Sequence, residues 1–119
     1  MHILVAHDDL SFLQPLVLSL RTAGHEVSAF ANSMPAWDAL SDGHRVDILI
    51  TRVRFPKGNP HGVALAHKAR MNHTGIRILF TASPETRQHT GGLGEFLAMP
   101  AGIPEVLARI AAMVESLAA

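Results

Sequence analysis

The chain predicts an α/β fold, a five-stranded parallel sheet wound with helices on both faces, and three observations carry that prediction. Short apolar runs of strand length alternate with stretches of helical period along all 119 residues. No low-complexity segment, run of like charges or internal repeat interrupts the alternation. The length and the 48% hydrophobic content suit one core and fall short of two, so a single domain over residues 1–119 with no separate output domain is expected. Right-handed crossovers and a doubly wound three-layer sandwich are the economical way to bury both faces of such a sheet.

Each element has its own signal. "HILVAH" reads as the first strand, and "SFLQPLVLSLRTAG" as a helix with Leu13, Leu16, Val17 and Leu20 on one face. Ser11 with Gln14 suggests a capping box and Gly24 a stop, while Pro15 should remove one backbone bond or bend the first turn. "HEVSAF" is a weak second strand. "SMPAWDALSDG" is a short helix opened by Ser33, with Pro35 in its first turn. "DILITRVRFP" supplies the third strand, buried at Ile48, Leu49 and Ile50, and "HGVALAHKARMN" the third helix. "IRILFT" is the fourth strand, and "SPETRQHT" a short helix that Gly91, Gly92 and Gly94 end early. "EFLA" is the fifth strand. The closing helix "GIPEVLARIAAMVESL" keeps Ile103, Val106, Leu107, Ile110, Val114 and Leu117 on one stripe.

Composition narrows the function. Acids and bases balance at ten each and the isoelectric point is near 7.1, so charge nominates neither nucleic acid nor an anionic membrane as partner. The absence of cysteine removes disulfides, thiolate catalysis and Cys-based zinc sites. Apolar runs fall well below membrane-spanning length, and Met1 leads straight into a strand without a signal-peptide pattern, so a cytoplasmic protein is expected.

Read together, these segments resemble the receiver domain of two-component response regulators, over essentially the whole chain. "ILVAHDDLSFLQPLVLSLRTAGHEV" is similar to that family's first strand, acidic turn and first helix. "DILITRVRFP" has its D-x-x-x-x-D-x-x-x-P frame, "ILFTA" its fourth strand, and "FLAMPAGIPEVLARI" its "YLxKPF" strand end and closing helix. The resemblance implies a flavodoxin-like fold with strand order 2-1-3-4-5. It also implies a site where two acids after strand one and an aspartate after strand three hold Mg²⁺, the aspartate takes a phosphoryl group, and a Thr or Ser and a Lys bind its oxygens.

The chain departs from that pattern where the chemistry lies. Counting places His7 and Asp8 at the two acid positions with Asp9 one beyond, while another register pairs Asp8 with Asp9. Asp47 and Pro56 frame Arg52 at the phosphoacceptor position. Thr81 keeps its place, Met99 replaces the lysine, and Phe96 stands where the family often carries a switch Tyr. A guanidinium stays protonated and has no acceptor, so Arg52 can neither receive a phosphoryl group as a carboxylate does nor ligate a metal. Mg²⁺ draws on several oxygens, so no cofactor is expected and Mg²⁺ binding is expected to be lost. The Arg52 cation is expected to sit near Asp8, together with Asp9, in the place of the metal; the alternative reading is that its head swings into solvent and the pocket has drifted. The loop "FPKGNPHG" is about two residues longer than the family's, and Thr81 to Met99 about four shorter, so the fourth helix should lose about a turn.

Other features read as structural. His2, His7, His25, His44, His61, His67, His73 and His89 show no metal-ligand spacing. "GGLG" lacks the lysine and the strand-to-helix setting of a phosphate loop. "HKARMNHTGIR" is basic but has no aromatic interleaving. Ser83 and Thr81 lie in no nucleophile elbow. Trp37 reads as core cover.

The sequence therefore indicates a stand-alone receiver-like module, not an enzyme. It would act by contact with a protein such as a histidine kinase, or with a second copy of itself. Two rival readings remain at this point: a receiver phosphorylated at an unorthodox residue, and a flavodoxin-like domain that senses a small molecule in the strand-end crevice.

Overall fold

The computed structural model describes residues 1–118. The strands are β1 (His2–Ala6), β2 (Glu26–Phe30), β3 (Ile48–Thr51), β4 (Arg77–Ala82) and β5 (Glu95–Ala98). The α-helices are α1 (Leu10–Thr22), α2 (Ser33–Ser41), α3 (Gly62–Asn72) and α4 (Ile103–Ala118), and a 3-10 helix covers Pro84–His89. All neighbouring strands run parallel in the order β2-β1-β3-β4-β5, which is the expected flavodoxin-like topology with five helical segments.

Alternation along the strands divides the core. Leu4, Ala6, Leu49, Ile78 and Phe80 face α2 and α3, which contribute Ala36, Leu40, Leu65, Ala66 and Ala69. Ile3, Val5, Ile48, Ile50 and Leu79 face α1 and α4, which contribute Leu13, Leu16, Leu20, Val106 and Ile110. The central strands are thus buried on both sides, which is why they read as unbroken apolar runs. Trp37 is half-buried against the first layer, with Lys68 Nζ 5.3 Å from its ring centroid.

Helix starts differ from the sequence reading by a residue or two. Asp9, extended at φ −87° and ψ 101°, caps α1: its Oδ1 accepts the Ser11 N–H at 3.0 Å and the Ser11 hydroxyl at 2.6 Å. Ser11 therefore donates to the cap and is not the cap, and no Ser11–Gln14 box forms. Pro15 lies well inside the helix, but on its exposed side, where water can reach the carbonyl left without a donor. Asn32, not Ser33, caps α2 by accepting the Met34 N–H at 3.1 Å, and Ser33 is fully buried in the first turn. The fourth helical segment is shortened to one tight stretch. Thr86 and Thr90 donate their hydroxyls to the carbonyls of Ser83 and Arg87, three residues back, at 2.6 and 2.9 Å. That pattern suits i to i+3 winding. Among the described residues, no helix is long and apolar enough to cross a membrane.

Candidate functional site

Parallel pairing sets the site at the carboxyl ends of β1, β3 and β4, where ligands collect in open α/β sheets. Ala6 is in register with Thr51, and the Arg52 N–H continues the ladder to the Ala6 carbonyl at 3.3 Å, so His7 and Arg52 leave the sheet side by side. The His7 N–H donates to the Phe30 carbonyl at 3.0 Å, fixing the turn on its other flank. Thr81, fully buried on β4, lies next in the row. Met99 follows β5, with its N–H on the Ala82 carbonyl at 2.8 Å. A crevice of about 330 Å³ results, lined by His7, Asp9, Arg52, Thr81, Ser83 and Met99, among others.

Gly62 holds this arrangement in a way that the sequence does not reveal. Its N–H donates to the Val53 carbonyl at 2.7 Å, and a Cβ there would stand 1.9 Å from the Arg52 carbonyl oxygen. Only glycine lets α3 start this close to the strand end.

Arg52 Nη1 donates to Asp8 Oδ1 at 2.5 Å, and both side chains are about one-third exposed. Asp9 turns away to cap α1, so of the two acids it is Asp8 that meets the guanidinium. His7 is 6% exposed and its Nδ1 accepts the Asp9 N–H at 3.1 Å, which assigns the proton of the neutral ring to Nε2. Burial, followed by the Arg52 charge, lowers the His7 pKa; Asp8 and Asp9 oppose the shift without overcoming it. Its ring tilts against Phe12 at 4.7 Å. Asp9 is held below the usual carboxylate range, chiefly by the Ser11 hydroxyl.

The pair leaves two polar atoms unanswered. Arg52 Nε and Thr81 Oγ1 are buried without a hydrogen-bond partner. Phe96 is half-buried, with the Arg87 guanidinium 4.8 Å over its ring, and has no hydroxyl to swing toward Thr81.

The residues present do not fit Mg²⁺. Of the two acids at the crevice, Asp8 is engaged by Arg52 and Asp9 by Ser11; His7 is a neutral nitrogen donor, and Arg52 adds positive charge where the ion would sit. Among the described residues, no three His, Asp or Glu side chains are grouped to hold a metal.

This sheet order, with the site at the ends of β1, β3 and β4, is the fold of response regulator receiver domains. No protein-family model and no curated sequence matches the chain. Solved structures do. The chain is similar to a response regulator receiver protein from Sinorhizobium medicae (TM-score 0.85, 22% identity, covering 97% of this chain and 94% of that one). It is also similar to a CheY-like receiver domain protein from Methanospirillum hungatei (0.84, 18%, covering 97% and 94%). A third likeness is to the chemotaxis protein CheY4 of Vibrio cholerae (0.75, 25%, covering 92% and 94%).

Proposed function

We propose that the chain is a receiver-fold signalling module of a two-component or phosphorelay system, working without phosphoryl transfer and through contact with another signalling protein such as a histidine kinase. In this reading it is not an enzyme and needs no cofactor. The observation that supports it most strongly is the Arg52–Asp8 ion pair at the strand ends. Arg52 occupies the place where the resemblance puts the phosphoacceptor, and a guanidinium offers no lone pair to phosphorus. Of the two carboxylates nearby, Asp8 is paired with Arg52 and Asp9 accepts from Ser11, which reduces the nucleophilicity of each. A cation built into the chain substitutes for a metal ion and holds the strand ends in one arrangement whatever the phosphate supply. The names carried by the structural relatives, receiver proteins and a chemotaxis protein, point to the same signalling context.

Intact mass after incubation with a small phosphodonor and Mg²⁺, with a conventional receiver as positive control, tests this. The expected result is no mass gain. A stable gain of one phosphoryl group would overturn it, and mapping the modified residue would identify which carboxylate or hydroxyl had taken over.

A further inference from the structure

Between Asp47 and Glu85 the chain contains no acid, yet it holds six of the ten lysines and arginines and three of the eight histidines. Part of this acid-free stretch encloses a second cavity, separate from the Arg52 crevice. It measures about 410 Å³ and is lined by Val53 and Arg54 after β3, His61 and Val63 at the start of α3, and His89 at the end of the 3-10 helix. The long β3–α3 loop forms one wall and the shortened fourth helical segment the other, so it lies where the chain departs from the receiver pattern in length.

Its two parts have different chemistry. The floor is apolar: Val53 is 3% exposed, and Val63 packs half-buried on the α2–α3 side of the core. The rim is basic, with Arg54, His61 and His89 all exposed. Arg54 forms no salt bridge among the described residues, leaving its fork of donors free. His61 Nδ1 accepts the Phe55 N–H at 3.0 Å, which leaves the Nε2–H to donate elsewhere. No acid lines the cavity or stands in the first turn of α3 to compete for these donors. The volume falls within the ~300–1,000 Å³ of small-molecule sites, which combine apolar walls with a few convergent polar groups.

We infer that this cavity binds a small monocarboxylate with an apolar body, its head held by Arg54 and His61 and its hydrocarbon laid on Val53 and Val63. A planar carboxylate matches the guanidinium fork. One permanent cation over an apolar floor suits a singly charged head better than a polyanion, and no Phe, Tyr or Trp lines the cavity to give a base a broad stacking face. The site is independent of the Arg52 crevice, so neither outcome of the phosphodonor experiment decides it.

The test titrates the full chain with octanoate, octanamide and inorganic phosphate, following the ring signals of His61 and His89 and the methyl signals of Val53 and Val63 by NMR. Octanoate should shift them saturably and bind about tenfold or more tightly than octanamide, the worth of one charge-assisted contact. Arg54→Gln should weaken octanoate by a similar factor, leave octanamide unchanged, and keep the thermal midpoint, because Arg54 is exposed and unpaired. Val63→Asp should abolish binding of both. Absence of a saturable octanoate shift at millimolar concentration, equal affinity for acid and amide, or saturable phosphate binding at the same signals would overturn the inference.

Discussion

The two ends of β3 carry ion pairs of the same chemical kind and opposite quality. At the amino end, Asp47 accepts the His2 N–H at 2.8 Å and Arg45 Nε at 3.0 Å, while its own N–H donates to the His2 carbonyl at 2.8 Å. At the carboxyl end, Arg52 reaches Asp8 but leaves its buried Nε and the buried Thr81 hydroxyl unpaired. An ion pair that answers every nearby donor and acceptor ties strands together; one that leaves buried atoms unanswered gives back much of what it gains. The Asp47 pair is fully answered, although His25 Nδ1 is buried without a partner just before β2 and Ser33 Oγ likewise at the start of α2; the Arg52 pair stands beside two unanswered atoms, at the end of the sheet where binding sites form in this fold.

The comparison can be broken most violently through Gly62. Gly62→Ala places a methyl group 1.9 Å from the Arg52 carbonyl, against backbone that cannot swing aside. The start of α3 must move off the strand end, and a loss of about 3 kcal/mol is expected, the upper range for overpacking. A fall in thermal midpoint of about 10 °C would report it. A melt unchanged from the parent would mean that the site does not depend on this close approach.

Asp47→Ala comes next. Removing a carboxylate with two charge-assisted partners should cost about 2 kcal/mol in urea unfolding, whereas Arg45→Ala, an exposed partner, should cost less than about 1 kcal/mol. The pH dependence has a definite sign. Burial raises the Asp47 pKa, but the His2 N–H and Arg45 together outweigh it and the net shift is downward. Its contribution is therefore present above the unfolded value of about 3.9 and is lost as pH falls through the lower folded value. Equal costs for the two variants would remove the asymmetry within the Asp47 site.

At the other end the effects should be small and of mixed sign. Arg52→Ala loses a pair that is one-third exposed but also removes the buried Nε, so a cost of less than about 1 kcal/mol is expected. Thr81→Val keeps the shape and deletes an unpaired hydroxyl, and should be neutral or stabilising by up to about 1 kcal/mol. If both variants cost as much as Asp47→Ala, the two ends of β3 are equivalent and the contrast fails.

How far the site was legible follows from what each residue needs in order to be read. Arg52 could be located because Asp47 before β3 and Pro56 in the loop after it frame it within one short stretch of sequence. Asp8 and Asp9 could not be separated, because two adjacent acids in a turn differ only in whether the side chain caps α1 or reaches across to β3. The helix starts slipped for a related reason: Asp, Asn and Ser all cap, and neighbouring candidates compete at Asp9/Ser11 and Asn32/Ser33. The parallel sheet was legible because strands buried on both faces are continuous apolar runs. Gly62 and the Val53–His89 cavity were not, since close approach and concavity join segments distant in sequence.

The smallest expected effect separates the crevice from the rest of the molecule by pH. Burial and the Arg52 charge depress the His7 pKa below its ordinary value of 6.5. Between those two values the unfolded chain binds a proton that the folded chain refuses, so stability is greatest above pH 6.5 and declines as pH falls. His25, also lowered by burial, adds to the same decline, and the parent curve alone cannot assign it. His7→Gln can, because it removes the titrating ring and keeps a polar side chain near the Asp9 N–H. Urea midpoints taken from pH 7.5 down to pH 5, about the span over which a histidine titrates, should fall less steeply for the variant than for the parent. Parallel curves would mean that His7 carries no part of the decline, and the buried, Arg52-facing environment assigned to it would be wrong.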